Sequence, residues 1–339
     1  MQYRPLGRTG VHVSPLCLGA MMFGPWGNDD HADATRIIHR ALDAGVNVID
    51  TADVYSGGIS EEIVGEALKG RRDDVVLATK FFMPMDTDDL NKRGGSRRWI
   101  MRAVEDSLRR LGTDHIDLYQ VHRPDPGTDV EETLGALTDL VRQGKVRYIG
   151  SSSYSGSQIV EAQWVSRERN LERFVTEQPP YSLLVRGIEE DVLPTLQRHG
   201  MGALTYSPLS GGWLSGRWRK NAADQPTSAA RPSARFDMSA PANQRKLEIV
   251  EGLALLAEDA EMSLIEMAIA FVINHPGVTS AIVGPRTMEQ LESYLPAAEI
   301  ALSTDVLDRI DALVAPSVTV NPDDNSYGAH ELLPTARRR

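Results

Sequence analysis

Four residues of this chain have side chains that can give up, hold or orient a proton, and their positions follow a common pattern. Asp50, Lys80 and His122 each end an apolar run, and Tyr55 follows Asp50 after five residues. A free phenol titrates near ~10 and is a poor acid at neutral pH, but a neighbouring ammonium stabilises the phenolate and lowers the phenol pKa. We therefore predict that Lys80 activates Tyr55 as an acid. Asp50 would keep Lys80 charged, and His122 would orient a carbonyl group or relay a proton.

Each of these residues also has an ordinary structural interpretation when it is taken alone. An aspartate at a strand end is usually a turn or capping residue, a loop tyrosine usually packs, and His122 precedes a turn that contains prolines. The functional interpretation is favoured because all four fit one reaction. That reaction is the protonation of an oxyanion that forms when hydride reaches a carbonyl carbon.

The elements that carry these residues must bring them together. Short apolar strands alternate with amphipathic helices, which is typical of a parallel sheet with crossover helices. Eight such units without a break in composition favour one closed (β/α)₈ barrel over residues 1–315, and the carboxyl ends of its strands would share one face. Strands are predicted at 16–19, 46–50, 75–80, 116–121, 146–150, 174–177, 202–206 and 279–283, with helices near 31–44, 60–69, 96–111, 129–143, 156–168, 187–198 and 263–274.

Three segments do not follow this alternation. Residues 2–15 predict a hairpin that plugs the bottom of the barrel. Residues 207–245 are rich in Ser, Gly, Arg, Ala and Pro and predict a long loop, which would be either a lid that covers a ligand or a disordered segment. Extra helices are expected near the C-terminus, followed by a polar tail over 316–339 that ends in three arginines.

The composition excludes several classes of protein. With 36 basic and 47 acidic residues the net charge is −11, which disfavours nucleic acid or an anionic membrane as the main partner. A single cysteine, Cys17, excludes an internal disulfide and a cysteine-rich zinc site, and its apolar neighbours predict a buried thiol. No signal-peptide pattern or membrane-spanning run is present, so a cytoplasmic location is expected. The sequence leaves open whether the protein forms a homo-oligomer.

The motifs around the four residues resemble those of the aldo-keto reductases. The similarity extends from residue 3 to about residue 315, through segments 6–10, 47–55, 79–80 and 118–122. The order and spacing of the four residues make this resemblance specific, and it extends to the potassium-channel β subunits, which share the scaffold. It implies an NADPH-dependent reduction of an aldehyde or ketone, with the proton from Tyr55.

The resemblance also implies which residues bind the cofactor. Family members bind nicotinamide cofactors in extended form, and the chain lacks the Gly-x-Gly-x-x-Gly pattern of an ordinary dehydrogenase. Ser153 stands where relatives usually have asparagine, and Gln290 also has the spacing of a helix-capping residue. The implied cofactor-binding residues are Gly19, Met21, Asp50, Ser152, Ser153, Gln178, Tyr206, Ser207, Leu209, Gly211, Gly212, Leu214, Arg217, Gly284, Arg286 and Gln290.

Apolar and aromatic residues near the mouth of the barrel predict a hydrophobic substrate pocket. We expect a small-molecule carbonyl compound there, although the sequence does not identify it. The pocket residues are predicted to be Met22, Phe23, Trp26, Tyr55, Phe81 and His122, with Phe82 and Trp99 nearby.

Three other functions compete with this hypothesis. The first is a regulatory, redox-sensing subunit that keeps the cofactor site but turns over slowly. The second is an aldolase that forms a Schiff base on Lys80, which would leave Tyr206, Gln178 and Arg286 without a role. A metal site built from Asp50 and His122 is disfavoured, because Lys80 would place a permanent cation beside it.

Overall fold

Eight parallel strands close into a barrel in the computed structural model, which describes residues 1–220 and 233–325. This confirms the predicted (β/α)₈ barrel, and every strand boundary lies within two residues of its predicted place. Neighbouring strands follow one another along the chain, and the last pairs with the first. The barrel strands are β3 (Leu16–Gly19), β4 (Val48–Asp50), β5 (Val76–Phe81), β6 (Ile116–Val121), β7 (Val146–Ser152), β8 (Phe174–Gln178), β9 (Gly202–Tyr206) and β10 (Ser280–Val283).

A short antiparallel hairpin closes the amino-terminal end of the barrel. It consists of β1 (Arg4–Pro5) and β2 (His12–Val13), and the Leu6 and Val13 side chains are buried in the cluster that fills the barrel interior. The plug predicted from residues 2–15 is therefore confirmed. Cys17 lies in the same cluster as a buried free thiol, as its neighbours predicted.

Helices surround the barrel and bury their apolar faces on its outer surface. Their ends follow local chemistry, as in the reciprocal cap in which Ser263 Oγ accepts the Glu266 amide and the Glu266 carboxylate accepts the Ser263 amide. The helices are α1 (His31–Asp43), α2 (Ile59–Ala67), α3 (Arg97–Leu111), α4 (Val130–Arg142), α5 (Gly156–Arg169), α6 (Val192–His199), α7 (Pro241–Asp259), α8 (Leu264–Asn274), α9 (Met288–Tyr294) and α10 (Thr304–Leu313).

The prediction of one continuous loop over 207–245 was wrong at its end, because α7 begins at Pro241. The first turns of α7 bury two polar side chains, Asn243 and Lys246, which hides the apolar period that identifies a helix. Lys246 pairs with Asp324 at 2.8 Å, so a residue distant in sequence stabilises its burial. Positions 221–232 of the predicted loop and 326–339 of the predicted tail, including the three arginines, lie outside the described residues.

Helix length and apolar content decide whether a helix could cross a bilayer. In the described part of the chain, no helix is both long enough and apolar enough to do so.

Candidate active site

Lys80 lies at the centre of a polar cluster at the carboxyl end of the barrel. Its Nζ forms an ion pair with Asp50 Oδ1, and it donates to the Thr51 carbonyl oxygen at 2.9 Å and to Tyr55 Oη at 3.4 Å. The Tyr55 ring meets the His122 imidazole edge-on, with 5.7 Å between the ring centroids. The structure thus brings the four predicted side chains into one contact network.

Strand alternation explains why these side chains point inward. In β4, Val48 packs in the barrel interior and Ile49 packs under the helices, so Asp50 returns to the interior. In β5, Ala78 is an interior residue, and Lys80 two positions later has the same orientation. The apolar strands therefore carry one ionisable residue each to the same end of the barrel.

Tyr55 reaches the cluster because the chain turns back after β4. The Asp53 amide donates to the Lys80 carbonyl oxygen at 3.1 Å, and the Tyr55 amide donates to the Ala52 carbonyl oxygen at 3.2 Å. Ser56 and Gly57 then adopt left-handed φ values of 51° and 68° before α2 begins. This tight turn holds the phenol beside the ammonium.

Asp50 holds the Lys80 ammonium and is itself held by two amides. Its Oδ2 accepts hydrogen bonds from Gln120 Nε2 at 3.0 Å and from Gln178 Nε2 at 2.9 Å. Burial alone would lower the pKa of Lys80, but the Asp50 carboxylate and Tyr55 raise it above its usual value. Lys80 is therefore a permanent cation at neutral pH, as predicted.

The phenol of Tyr55 behaves differently from the sequence-based expectation. Burial raises its pKa more than the nearby Lys80 ammonium lowers it, so the net shift is upward. The predicted lowering by Lys80 is present, but desolvation of the phenolate, which could not be judged from sequence, outweighs it. Tyr55 consequently retains its proton throughout the neutral range, which is the state that a proton donor requires.

His122 is a neutral imidazole at physiological pH. Burial first, and then the charges of Lys80 and Arg123, hold its pKa well below the usual range. Its Nδ1 is buried and finds no hydrogen-bond partner among the described residues. A neutral ring can hydrogen-bond a carbonyl oxygen without adding another positive charge to the site.

Four residues predicted to bind nicotinamide lie beside this cluster and contact one another. Ser152 Oγ donates to the Gln178 carbonyl oxygen at 2.9 Å, and Ser153 Oγ lies 3.2 Å from Tyr206 Oη. Gln178 Nε2 also donates to Asp50, so this group is physically joined to the proton-transfer cluster. The half-buried Tyr206 ring ends β9 at the barrel rim.

The turn after β9 has a backbone suited to an anion. Ser207, Ser210, Gly211 and Gly212 all have left-handed φ values, between 47° and 103°. The Ser210 amide donates to the Ser207 carbonyl oxygen at 2.8 Å and the Gly212 amide to the Leu209 carbonyl oxygen at 2.9 Å, which fixes a tight turn with small residues at its surface, where a phosphate group could approach the backbone. Ser210 Oγ is buried without a partner among the described residues. This turn contains the predicted residues Ser207, Leu209, Gly211, Gly212, Leu214 and Arg217.

The residues predicted to bind the adenosine end lie on the same rim, next to this turn, where β3 and β10 end beside β9. Gly19 and Gly284 lie side by side, since a Cβ atom on Gly284 would be 3.6 Å from the Gly19 carbonyl oxygen. Arg286 is exposed. Burial raises the pKa of the Tyr294 phenol, and the charges of Arg286 and Arg217 offset part of that rise. The Gln290 side chain accepts the Arg286 amide at 2.8 Å, so it stabilises the backbone of this segment.

The predicted substrate pocket is only partly open. Trp26 is exposed, and its ring centroid lies 6.1 Å from that of Tyr55. Met21 and Met22 are half-buried in the adjoining loop. By contrast, the structure buries three predicted residues in the packed layer outside the barrel, apart from the cluster that fills its interior. These are Phe23, Phe81 and Trp99.

Three residues in this region were missed from the sequence. Gln120 bonds Asp50, and Arg123 donates to both Ser152 and Ser153. Glu177 is fully buried next to Gln178. The signal for Gln120 was present, because a glutamine two residues before His122 must share its face of the strand.

Glu177 is a buried carboxyl group behind the serine segment. Its oxygens accept hydrogen bonds from Ser151 Oγ and from the Tyr154 amide, the latter at 3.0 Å. Burial raises the pKa of Glu177 from 4.5 to about 7, and these hydrogen bonds offset only part of the shift. Between pH 4.5 and about 7, the folded protein therefore retains a proton on Glu177 that the unfolded chain has released.

We expect Glu177→Gln to remove part of the pH dependence of stability. Between pH 4.5 and about 7, Glu177 is protonated in the folded state and ionised in the unfolded state. Because the unfolded state binds fewer protons, stability falls as pH rises. The full effect is roughly 3 kcal/mol. Urea unfolding at about pH 5 and about pH 8 should show a smaller difference in the variant than in the wild type. Equal differences in both proteins would contradict this role of Glu177.

A metal centre receives no support from the described residues. Residues 1–220 and 233–325 contain no group of three or more His, Cys, Asp or Glu side chains arranged to hold a metal ion. The Lys80 ammonium, paired with Asp50, occupies the place that such a cation would need.

Comparison with known proteins gives consistent matches over nearly the whole chain. The model of the aldo/keto reductase family matches residues 15–315. The chain is 41% identical to the "Uncharacterized oxidoreductase YrpG" of Bacillus subtilis, over 91% of this chain and 94% of that protein. It is 36% identical to a "Probable voltage-gated potassium channel subunit beta" of Oryza sativa, over 93% and 97% of the two chains.

A third relative carries the family in its name. The chain is 36% identical to "Aldo-keto reductase YhdN" of Bacillus subtilis, over 86% of this chain and 87% of that protein. The family match covers all of the strands that form the barrel. The chain therefore belongs to the aldo/keto reductase family of oxidoreductases.

Proposed function

We propose that the protein reduces an aldehyde or ketone to an alcohol, with hydride from NADPH and a proton from Tyr55. The observation that carries this proposal is the contact between the Tyr55 hydroxyl and the buried Lys80 ammonium, which Asp50 holds in place. Neither a Schiff-base reaction nor a metal-assisted reaction would use the phenol, the ammonium and the neutral imidazole together.

The proton step follows from the charges around Tyr55. The phenol is protonated before reaction because burial raises its pKa. As its proton moves to the developing alkoxide, negative charge appears on Oη, 3.4 Å from Lys80 Nζ, and the ammonium stabilises it. His122 orients the carbonyl oxygen beside the phenol. The acid thus stays protonated until charge forms on the substrate.

The cofactor residues fit an extended nicotinamide dinucleotide. When bound, the nicotinamide supplies the hydride that this chain lacks. Ser152, Ser153 and Gln178 would hold its carboxamide, and Tyr206 would stack on its ring. The left-handed turn over 207–212, with the unpartnered Ser210 hydroxyl, offers donors for the pyrophosphate.

Preference for NADPH over NADH would come from Arg286. The guanidinium is exposed next to the site of the adenosine end, where it can pair with the additional phosphate of NADPH. We expect Arg286→Ala to weaken NADPH binding by about tenfold to a hundredfold, and to change NADH binding by less than about threefold. Fluorescence titration with both cofactors measures this. Equal loss for the two, or no loss for NADPH, would contradict the assignment.

The substrate is proposed to carry an apolar or aromatic group. The Trp26 ring lies next to Tyr55, and Met21 and Met22, which are half-buried in the same loop, add apolar surface. A panel of aliphatic and aromatic aldehydes should show higher kcat/KM for the aromatic members. Higher kcat/KM for small aliphatic aldehydes would contradict this proposal.

A regulatory role is the second candidate, because relatives at 36% and 34% identity are named as channel β subunits. Such a protein would bind NADPH but turn over little. Steady-state NADPH oxidation with aldehydes and quinones distinguishes the two functions. An aldolase is disfavoured, because the Asp50 carboxylate keeps Lys80 protonated and a Schiff base needs a neutral amine.

A further inference from the structure

Arg123 connects the two halves of the site. It follows His122 directly, and its Nη1 donates to the His122 carbonyl oxygen at 2.8 Å. The same nitrogen donates to Ser153 Oγ at 2.9 Å and to Ser152 Oγ at 3.3 Å. One guanidinium therefore fixes the distance between the proton-transfer side and the proposed nicotinamide side.

The guanidinium also lies against Tyr206. Its central carbon is 5.8 Å from the centroid of the Tyr206 ring, and Ser153 Oγ, which it holds, is 3.2 Å from Tyr206 Oη. Arginine is suited to this position, because its planar fork can stack on an aromatic ring while it donates several hydrogen bonds. Lysine would provide only a point charge.

The positive charge of Arg123 affects the pKa values of neighbouring residues in the site. After burial and Lys80, Arg123 is the next contributor that lowers the pKa of His122, and it also acts to lower the pKa of Tyr55. Burial raises the pKa of Glu177, and the same charge of Arg123 acts to lower it. Arg123 thus places its positive charge close to Ser153 and Tyr206, two of the side chains that would contact the nicotinamide ring.

We propose that Arg123 is a positioning residue for the nicotinamide-binding side chains, and that its charge makes the site bind reduced cofactor in preference to oxidised cofactor. This inference rests on the proposed function. The oxidised nicotinamide ring carries a positive charge and the reduced ring is neutral. A fixed guanidinium near the ring therefore disfavours only the oxidised form.

This preference would determine which form of the cofactor is loaded and which is released. A site that binds NADPH more tightly than NADP⁺ loads with the reduced form and releases the oxidised product readily. The linkage between charge and redox form means that the same preference shifts the reduction potential of the bound nicotinamide upward. A purely structural role for Arg123 would change affinity for both forms equally.

The test compares dissociation constants for NADPH and NADP⁺ in the wild type, Arg123→Gln and Arg123→Lys. The wild type should bind NADPH more tightly. Arg123→Gln should reduce the ratio Kd(NADP⁺)/Kd(NADPH) by roughly threefold to tenfold, because it removes the charge. Arg123→Lys should keep that ratio within about twofold, while it weakens both forms and lowers turnover because the fork is lost.

Each other outcome contradicts the inference. An unchanged ratio in Arg123→Gln would remove the charge effect, and equal shifts in both variants would assign the effect to geometry instead. Unchanged Kd values and turnover in both variants would remove the positioning role. A wild type that binds neither form would overturn the proposed function itself, and the inference would fall with it. Thermal unfolding of each variant confirms that it is folded before titration.

Discussion

Tyr55→Phe is expected to lower the turnover of carbonyl reduction by about a hundredfold to ten-thousandfold, which is the usual contribution of a positioned general acid. The substitution removes only the hydroxyl group that lies 3.4 Å from Lys80 Nζ. The phenyl ring can keep its edge contact with His122, so the shape of the site should persist. NADPH affinity should stay within about twofold of the wild type, since the proposed cofactor contacts lie elsewhere.

The measurement is steady-state NADPH oxidation with an aromatic aldehyde, together with NADPH titration. Tyr119→Phe is a matched control, because Tyr119 is fully buried and packs against Phe81 in the layer outside the barrel. Its hydroxyl finds no partner among the residues that the structure describes. The control should keep wild-type turnover. Near-normal turnover in Tyr55→Phe would remove Tyr55 from the acid role.

Lys80→Met is expected to have the second large effect, on both activity and stability. Turnover should fall by about a hundredfold or more, because no cation remains to stabilise the phenolate. The variant also leaves Asp50 as a buried carboxylate without its ion-pair partner, which costs about 3 kcal/mol or more in stability. Gln120 and Gln178 would still donate to that carboxylate.

The double variant Asp50→Asn with Lys80→Met separates the two effects. Removing the second charge should restore part of the stability lost in Lys80→Met, since no buried ion is left unpaired. It should not restore turnover, because the cation is still absent. Urea unfolding and steady-state kinetics measure these two quantities. Recovery of turnover in the double variant would show that Lys80 acts only through folding.

The barrel could be predicted from sequence because each strand is a short apolar run of its own. The β/α period survives in the chain from 16–19 to 279–283, and the ionisable strand ends stand out against apolar neighbours. The start of helix α7 could not be predicted in this way. Its buried Lys246 is stabilised by Asp324, and no local sequence pattern predicts such a pairing.

Side-chain direction was the weaker part of the prediction for the site. Phe81 follows Lys80 in β5, so strand alternation already placed it on the opposite face, toward Tyr119. The prediction of a pocket wall used its aromatic character and ignored that parity. Phe23 lies in a loop after β3, where no such period exists, and its burial depended on tertiary packing.

The net pKa shifts in the site could not be predicted from the sequence. The presence of Lys80 near Tyr55 could be predicted, but the net pKa of the phenol depends on how much water the folded site excludes. Glu177 shows the same limit, because only the structure reveals that its carboxyl group is buried beside Ser151. In the sequence, Arg123 has the pattern of an ordinary turn residue, and only the structure reveals its contacts to both serines.

The most direct test of the central claim is a transfer of label. NADPH with deuterium in place of both hydrogens on its hydride-donating carbon is mixed with the wild-type protein and an aldehyde, and the alcohol is analysed by mass spectrometry. The proposed function predicts one deuterium on the former carbonyl carbon and an exchangeable hydrogen from solvent on its oxygen. An alcohol without deuterium on carbon, or no alcohol despite bound NADPH, would contradict it.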